Sequence, residues 1–316
     1  MTEGAPGPAS AHAQPGEIAP LDVDGSGVLP PVADRVRRLF WLLERFAPSL
    51  GSRWAVELWC TPPVLESSLR MPPGVPPGRP IEAYWDGHRI AGEEWGEGPP
   101  IYLVHGWGGQ RPHLAVFVKP LVEAGYRAIA FDLPSHNESD PGALAPGRTT
   151  LIECADAVAA MIETHGPAHA VVAHSLGANA TALAAAGGAP VGRLVFLAPM
   201  GDFPLYLDLF AERHGFGRRI RAGLERRLEK RIAMPLHETN MTWIGQRANY
   251  PPLLLIHDPD DPDSPYAASE RLAAVWQGAR FVTTRGLGRL AHYRILRHRP
   301  AIRAGLEFVD QQAAES

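Results

Sequence analysis

Ala170-Val171-Val172-Ala173-His174-Ser175-Leu176-Gly177 is the stretch whose reading decides the fold. The apolar run 170–172 predicts a buried strand, and the alanine-rich run 178–186 behind it predicts a helix. Ser175 stands where the strand turns abruptly into that helix. A turn of this kind holds its serine in a strained conformation, and small residues two before and two after it, Ala173 and Gly177, avoid collisions with the neighbouring backbone. The strain keeps Oγ clear of the sheet. Taken alone, the pentapeptide has a plain alternative, because serine at a helix start is a common N-cap.

Three other segments bear on that alternative. Ile101-Tyr102-Leu103-Val104 reads as a short buried strand and empties into His105-Gly106-Trp107-Gly108-Gly109, whose glycines free the backbone to turn its N–H groups outward. Leu253-Leu254-Leu255-Ile256 is another apolar strand, ending in His257-Asp258-Pro259-Asp260-Asp261-Pro262. Arg280 to Thr284 reads as a last strand, followed by Gly286-Leu287-Gly288 and His292. Nucleophile, acid and histidine therefore occur in the chain order Ser, Asp, His. Each lies at or just beyond the C-terminal end of a predicted strand, where open parallel sheets place their sites.

Over roughly residues 80–312 the chain resembles the α/β-hydrolase superfamily, and within it the bacterial serine hydrolases and esterases with a His-Gly-Trp-Gly-Gly oxyanion loop. Their Asp-x-Pro-x-His-Gly-x-Ser segment is echoed by Asp132-Leu133-Pro134-Ser135-His136-Asn137-Glu138-Ser139, with Asn137 in place of the glycine. The resemblance implies an α/β fold: a mostly parallel twisted sheet of about eight strands, helices on both faces and a helical cap insertion. It assigns the nucleophile to Ser175, the acid to Asp261, the base to His292, and the oxyanion donors to the backbone N–H groups of Trp107 and Leu176. It implies no cofactor and no metal. Such relatives usually place the histidine directly after a glycine, whereas Arg289-Leu290-Ala291 intervene here. His292 keeps its place relative to a last helix expected to begin at Tyr293. The competitor His298 is expected inside that helix, facing solvent, and Asp260 is the competitor for the acid.

Composition is consistent with this. A chain of 316 residues, 45% hydrophobic, can bury one large core without a second independent domain. A net charge of -4 argues against nucleic acid as a general partner, since phosphate binding needs a broad basic surface. Cys60 and Cys154 lack metal-like spacing and are expected to be reduced and inert. The aspartates of 258–263 lack the ligand spacing and glycine of a calcium loop. No secretory signal is seen, and no uncharged apolar run approaches the ~20 residues of a membrane span, so a cytoplasmic location is the default expectation.

Four regions are expected: a disordered tail over 1–31, rich in Ala, Pro and Gly; a helical arm and linker over 32–79; the core over 80–200 and 251–316; and a helical cap over 201–250. The arm is read as a helix with Val36, Leu39, Phe40 and Leu43 inward, closed by Pro48, and a shorter helix from Arg53 to Cys60. Arg35, Arg37 and Arg38 beside Trp41, Trp54 and Trp59 fit either an interfacial membrane anchor or a packed arm with solvated arginines, and the packed arm is the expectation. In the core, a continuous helix is expected over 114–124. In the cap, Phe216, Ile220, Leu224, Leu228 and Ile232 recur every four residues opposite a basic face. That face could attract anionic substrates or lipid, but is expected to be simply the wet side of the helix. Phe203, Tyr206, Phe210 and Trp243 offer an apolar lining for a small-molecule ester.

The chemistry expected is hydrolysis of a carboxylic ester through an acyl-enzyme. Acyl transfer, perhydrolysis and the cleavage of thioesters or lactones use the same triad. A non-catalytic ligand-binding protein on this scaffold would be expected to lose a triad member.

Overall fold

A computed structural model describes residues 32–63, 71–247 and 250–311, so the expected tail lies outside the described residues. The chain enters through two helices, α1 (Asp34–Phe46) and α2 (Pro48–Trp59). The second begins at Pro48 rather than Arg53, because proline suits the first helical position, where its missing N–H costs nothing. Strands β1 (Arg79–Trp85) and β2 (His88–Trp95) form an antiparallel hairpin. Then come β3 (Pro100–Val104), α3 (Val118–Glu123), β4 (Arg127–Phe131), α4 (Leu151–His165), β5 (Ala170–His174), α5 (Leu176–Ala186) and β6 (Leu194–Leu197). Helices α6 (Phe203–His214), α7 (Arg218–Ile232) and α8 (Met241–Gly245) separate β6 from β7 (Leu253–His257). The chain closes with α9 (Tyr266–Val275), β8 (Arg280–Thr283), α10 (Ala291–Arg294) and α11 (Arg299–Asp310).

The eight strands form one sheet in the order β1-β2-β4-β3-β5-β6-β7-β8. β2 runs antiparallel to β4, and from β4 through β8 every neighbouring pair is parallel. Residues 170–174 and 194–197 are buried throughout, which is why those strands read as continuous apolar runs rather than alternating ones. The chain steps from β3 to β4 on one side and returns to β5 on the other. The strand order therefore reverses at β3, and the crevice beyond the carboxyl ends of β3 and β5 is the place where such sheets bind ligands.

Three expectations need correction. The stretch 114–124 is not one helix: 3-10 turns at Arg111–His113 and Ala115–Phe117 precede α3. Pro120 has no N–H to give and is tolerated only in a first turn, so the α-helix starts just ahead of it. The last helix does not run on from Tyr293, because Pro300 imposes the same limit; α10 and a 3-10 turn at Ile295–Arg297 come first, and α11 begins at Arg299. His298 is consequently the half-buried N-cap residue of α11, not a solvated residue inside a helix. Leu39 points outward, 45% exposed, while Phe40 alone of α1 is fully buried.

The arm is tied to the body by specific contacts. Glu44 accepts hydrogen bonds from the backbone N–H groups of Gly217, Arg219 and Ile220, satisfying donors at the start of α7 that have no intrahelical partner. Gly51 lets α2 approach α7 closely; a Cβ there would lie 2.4 Å from Ile220 Cδ1. At the far end of α2 the Cys60 carbonyl accepts from Thr149 N–H at 2.9 Å.

Candidate active site

Ser175 follows β5 with φ 51° and ψ -123°, in a region that costs a non-glycine residue free energy. From Ala170 to Ala182 it is the one residue not buried. Its side chain makes no capping hydrogen bond to α5, so the plain N-cap alternative does not describe it. Gly177 explains how the turn closes. A Cβ there would sit 2.3 Å from the His105 carbonyl oxygen and 2.7 Å from that of Val104, and neither backbone atom can move aside.

The loop after β3 is held from below by two histidines. His105 Nδ1–H donates to the Gly106 carbonyl at 2.8 Å, and its Nε2 accepts from Leu133 N–H at 3.0 Å. His136 Nδ1–H donates to the Pro134 carbonyl at 2.9 Å, and its Nε2 accepts from Gly108 N–H at 3.0 Å. Burial pushes the His105 pKa well down and that of His136 down to about 4, which keeps both neutral, as these tautomers require. Buried Asp132 forms an ion pair with Arg111 Nε at 3.0 Å and accepts from Arg111 N–H at 2.9 Å and from Asn137 Nδ2 at 2.9 Å. Asn137 itself has φ 43°, a left-handed conformation that asparagine enters more readily than most residues, so it can replace the glycine of the motif. The N–H groups of Trp107 and Leu176 donate to no described residue.

The acid loop brings two histidines onto one carboxylate. Asp261 Oδ2 accepts from His292 Nδ1–H at 2.8 Å and from His257 Nε2–H at 3.1 Å. Its Oδ1 accepts from the backbone N–H groups of Asp263 at 2.8 Å and Ser264 at 2.9 Å. Burial opposes charge on Asp261, but the hydrogen bonds from His257 and His292 outweigh it and hold the carboxyl well below its usual range. Burial likewise opposes charge on His292, and there the hydrogen bond and charge of Asp261 prevail and raise its pKa. Asp260 is exposed and touches neither histidine, while buried Asp258 accepts from Thr284 Oγ1 at 2.9 Å and ties this loop to the end of β8.

His174, the last residue of β5, links this pair to the serine turn. Its Nε2–H donates to the His292 carbonyl at 2.9 Å, and the two rings lie 4.6 Å apart. The structure thus brings Asp261 and His292 together beside the residue that precedes Ser175. No hydrogen bond joins Ser175 Oγ to His292. Sequence reasoning missed two of these partners. His257 stands in the sequence only as the first residue of the loop after Leu253–Ile256, and His174 only as the neighbour of Ser175.

Asp261, Asp263 and His292 present possible metal-ligand atoms within 4.8 Å of one another. Both oxygens of Asp261 already accept two N–H groups each, one of them from His292, so a cation would have to displace that network.

Residues 101–310 match the alpha/beta hydrolase family. The chain belongs to that family. Among curated relatives, a "Non-heme chloroperoxidase CPO-A1" of Kitasatospora aureofaciens is 39% identical over 62 residues, 20% of this chain and 22% of that one, so the chain spans under a quarter of that relative's length. Two solved structures share the fold. Alpha/beta hydrolase domain-containing protein 10 from mouse has a TM-score of 0.57 at 18% identity, covering 73% of this chain and 96% of the other. An esterase from Exiguobacterium antarcticum has a TM-score of 0.55 at 17% identity, covering 74% and 100%.

In this alpha/beta hydrolase the aromatic residues beyond β6 fall into two groups. Phe203 and Phe210 both pack edge-on against Trp59 of α2, with ring centroids 5.5 and 5.2 Å away. Tyr206, on the same helix, has a buried hydroxyl facing the loop of Asp261 and Ser264, and burial pushes its pKa well up. Trp243 stands apart: it meets His237 edge-on at 4.8 Å, with Arg247 over its face. Trp59 is the member that sequence reasoning assigned to the arm alone. Its spacing from Phe203 along the chain gave no sign of the contact.

Proposed function

We propose that the protein is a serine hydrolase that cleaves carboxylic esters through an acyl-enzyme. The observation that carries the reading is the 2.8 Å bond between His292 Nδ1 and Asp261 Oδ2, anchored through His174 beside a strained, accessible Ser175. Ser175 Oγ attacks the ester carbonyl while its proton passes to His292 Nε2. Asp261, holding Nδ1–H, fixes the tautomer and stabilises the imidazolium. The oxyanion forms between the N–H groups of Trp107 and Leu176, with the positive end of α5 behind them. Collapse of the tetrahedral intermediate breaks the C–O bond, and the alcohol leaves with the proton from His292. Water then attacks the acyl-enzyme, again giving its proton to His292, and Ser175 takes a proton back as the acid departs. Hydrogen bonds of this kind are often long in the free enzyme and tighten only with substrate bound.

In this reading the helices α6 to α8 act as a cap, and Phe203, Tyr206, Phe210 and Trp59 form one wall of the acyl pocket. The test is a panel of p-nitrophenyl esters of rising acyl length, together with labelling by an organophosphonate. Wild type should turn over at least one ester and take up the label, and Ser175→Ala should do neither while keeping its fold by circular dichroism. Labelling of Ser175→Ala would overturn the assignment. A second reading, transfer of the acyl group to another acceptor such as hydrogen peroxide, draws on the short similarity to a protein named as a chloroperoxidase. Peroxide would then raise acyl-enzyme breakdown above the rate with water alone.

A further inference from the structure

Five of the eight large apolar side chains exposed among the described residues, Leu39, Trp41, Leu42, Phe46 and Leu50, belong to α1 and the first turn of α2. Leu39, Leu42 and Phe46 follow one another at helical spacing, so they share a face of α1, away from the buried Phe40. Arg35, Arg38 and Arg45 are exposed on the same helix, between and beside them. A helix that only packs on the body would expose its charges and bury its apolar residues; α1 exposes both. Alternation of large apolar and cationic residues on one outward face is the pattern of a helix lying in a lipid interface.

Next to this face lies an open, strongly basic groove. Two adjoining clefts of about 690 and 360 Å³ run between α2 and α7. Their walls include Arg53, Arg218, Arg226, Lys230 and Arg231, all exposed, and none of the five forms a salt bridge among the described residues. Phe46 and Leu50 flank Pro48 and Ser49, which line the larger cleft, so the apolar face and the basic groove are continuous along the chain. The one carboxylate among the residues lining the clefts, Glu57, is paired with Arg148, and that of nearby Glu44 is spent on backbone amides at the start of α7.

We propose that the outer faces of α1, α2 and α7 form a docking surface for an anionic phospholipid bilayer. Phe46, Leu50 and the outer leucines enter the headgroup region, and the cations of the groove meet lipid phosphates. Charge complementarity selects this occupant. A second copy docking by a two-fold axis would set the same cations against each other. Residues 1–31 carry only four acids, Glu3, Glu17, Asp22 and Asp24, fewer than the cations arrayed on three helices, whereas a charged plane meets them all.

The test is sedimentation of the full chain with vesicles of phosphatidylcholine alone and of phosphatidylcholine with phosphatidylglycerol. Binding should need the anionic lipid and weaken as salt rises. Phe46→Glu/Leu50→Glu should lower the partition coefficient about tenfold or more, and Arg226→Glu/Lys230→Glu by a similar factor, since each surface cation contributes about fivefold. Both variants should keep wild-type circular dichroism and wild-type turnover of a soluble p-nitrophenyl ester, so failure here is distinct from failure of the esterase reading. Equal binding to both vesicle types, or no binding by the full chain, overturns the proposal. A dimer in gel filtration that Phe46→Glu/Leu50→Glu dissociates would show that a second copy covers the face. Vesicle binding gained only when Glu17, Asp22 and Asp24 are changed to Asn/Gln would show that the chain's own N-terminal segment does.

Discussion

His257→Phe tests whether the second imidazole on Asp261 is structural. In the native protein His257 is fully buried, accepts from Ser269 Oγ–H through Nδ1 at 2.7 Å, and donates from Nε2–H to Asp261 at 3.1 Å. Phenylalanine keeps a ring in the space but can do neither. A hydrogen bond to a charged group contributes about 1.5–3 kcal/mol, and a buried hydroxyl left without a partner costs about 1–3 kcal/mol. The expected loss of stability is therefore roughly 2.5–6 kcal/mol, a large part of the 5–15 kcal/mol typical of a folded domain. Adding Ser269→Ala removes the orphaned hydroxyl, so the double variant should recover about 1 kcal/mol or more relative to His257→Phe alone.

Catalysis should suffer less than stability, because Asp261 keeps His292 and the two backbone amides. The assay is urea unfolding followed by circular dichroism, with ester turnover measured on the folded protein. The pH dependence has a definite sign. A carboxyl held below its usual value adds stability that is present above that value and is lost as pH falls through the depressed one. Removing one of the two imidazole donors should move this acid limb to higher pH. An unfolding midpoint equal to wild type, or a double variant less stable than His257→Phe, would refute the reasoning.

Four further outcomes are expected. Asp261→Asn should reduce turnover by about 10,000-fold, as altering the triad acid does elsewhere, while Asp260→Asn changes it little; the reverse order would reassign the acid. His292→Ala should cause a comparable collapse and His298→Ala should not. The wild-type kcat/KM should also rise with pH through a midpoint above the ordinary histidine value of 6.5, because Asp261 holds the proton on His292, and a midpoint below that value would contradict the pairing. Gly177→Ala should destabilise the protein strongly, since its Cβ would fall 2.3 Å from a carbonyl oxygen; a stable, active variant would mean that the serine turn is looser than described.

What the sequence made legible was whatever is carried by a few adjacent residues. The apolar run before Ser175 and the small residues around it state a strand, a tight turn and a helix locally, and the structure has β5, the turn and α5 within two residues of that reading. Asp261 could be proposed from the family resemblance, counted from the end of the strand over 253–256. The outward face of α1 could not, because Leu39, Leu42 and Phe46 on one side and Val36, Phe40 and Leu43 on the other leave no unique inward stripe, and only the packing of Phe40 against Trp54 of α2, His214 of α6 and Phe216 decides between them. His257 and Trp59 were hidden for a different reason. Their roles depend on partners that the sheet order and the helices after β6 bring near, and neither residue type announces such a partner.

The arm is consequently more than an appendage to the alpha/beta hydrolase core. One helix, α2, carries Leu50 at its exposed start and Trp59, against Phe203 and Phe210, at its end. At 1.5 Å per residue these two lie about 14 Å apart along the axis. Just beyond it, Pro63 lies against Gly108 in the loop whose amides are proposed to bind the oxyanion. A lipid surface at one end of α2 and an acyl pocket at the other would be joined by one continuous helix, so docking would fix the pocket mouth at a set height above the bilayer. An ester still partly held in lipid reaches Ser175 only if its acyl group spans that height. Long-chain esters presented on anionic vesicles should then gain in kcat/KM over the same esters in solution, and short-chain soluble esters should not. Equal gains for both chain lengths would mean that α2 does not couple the two surfaces.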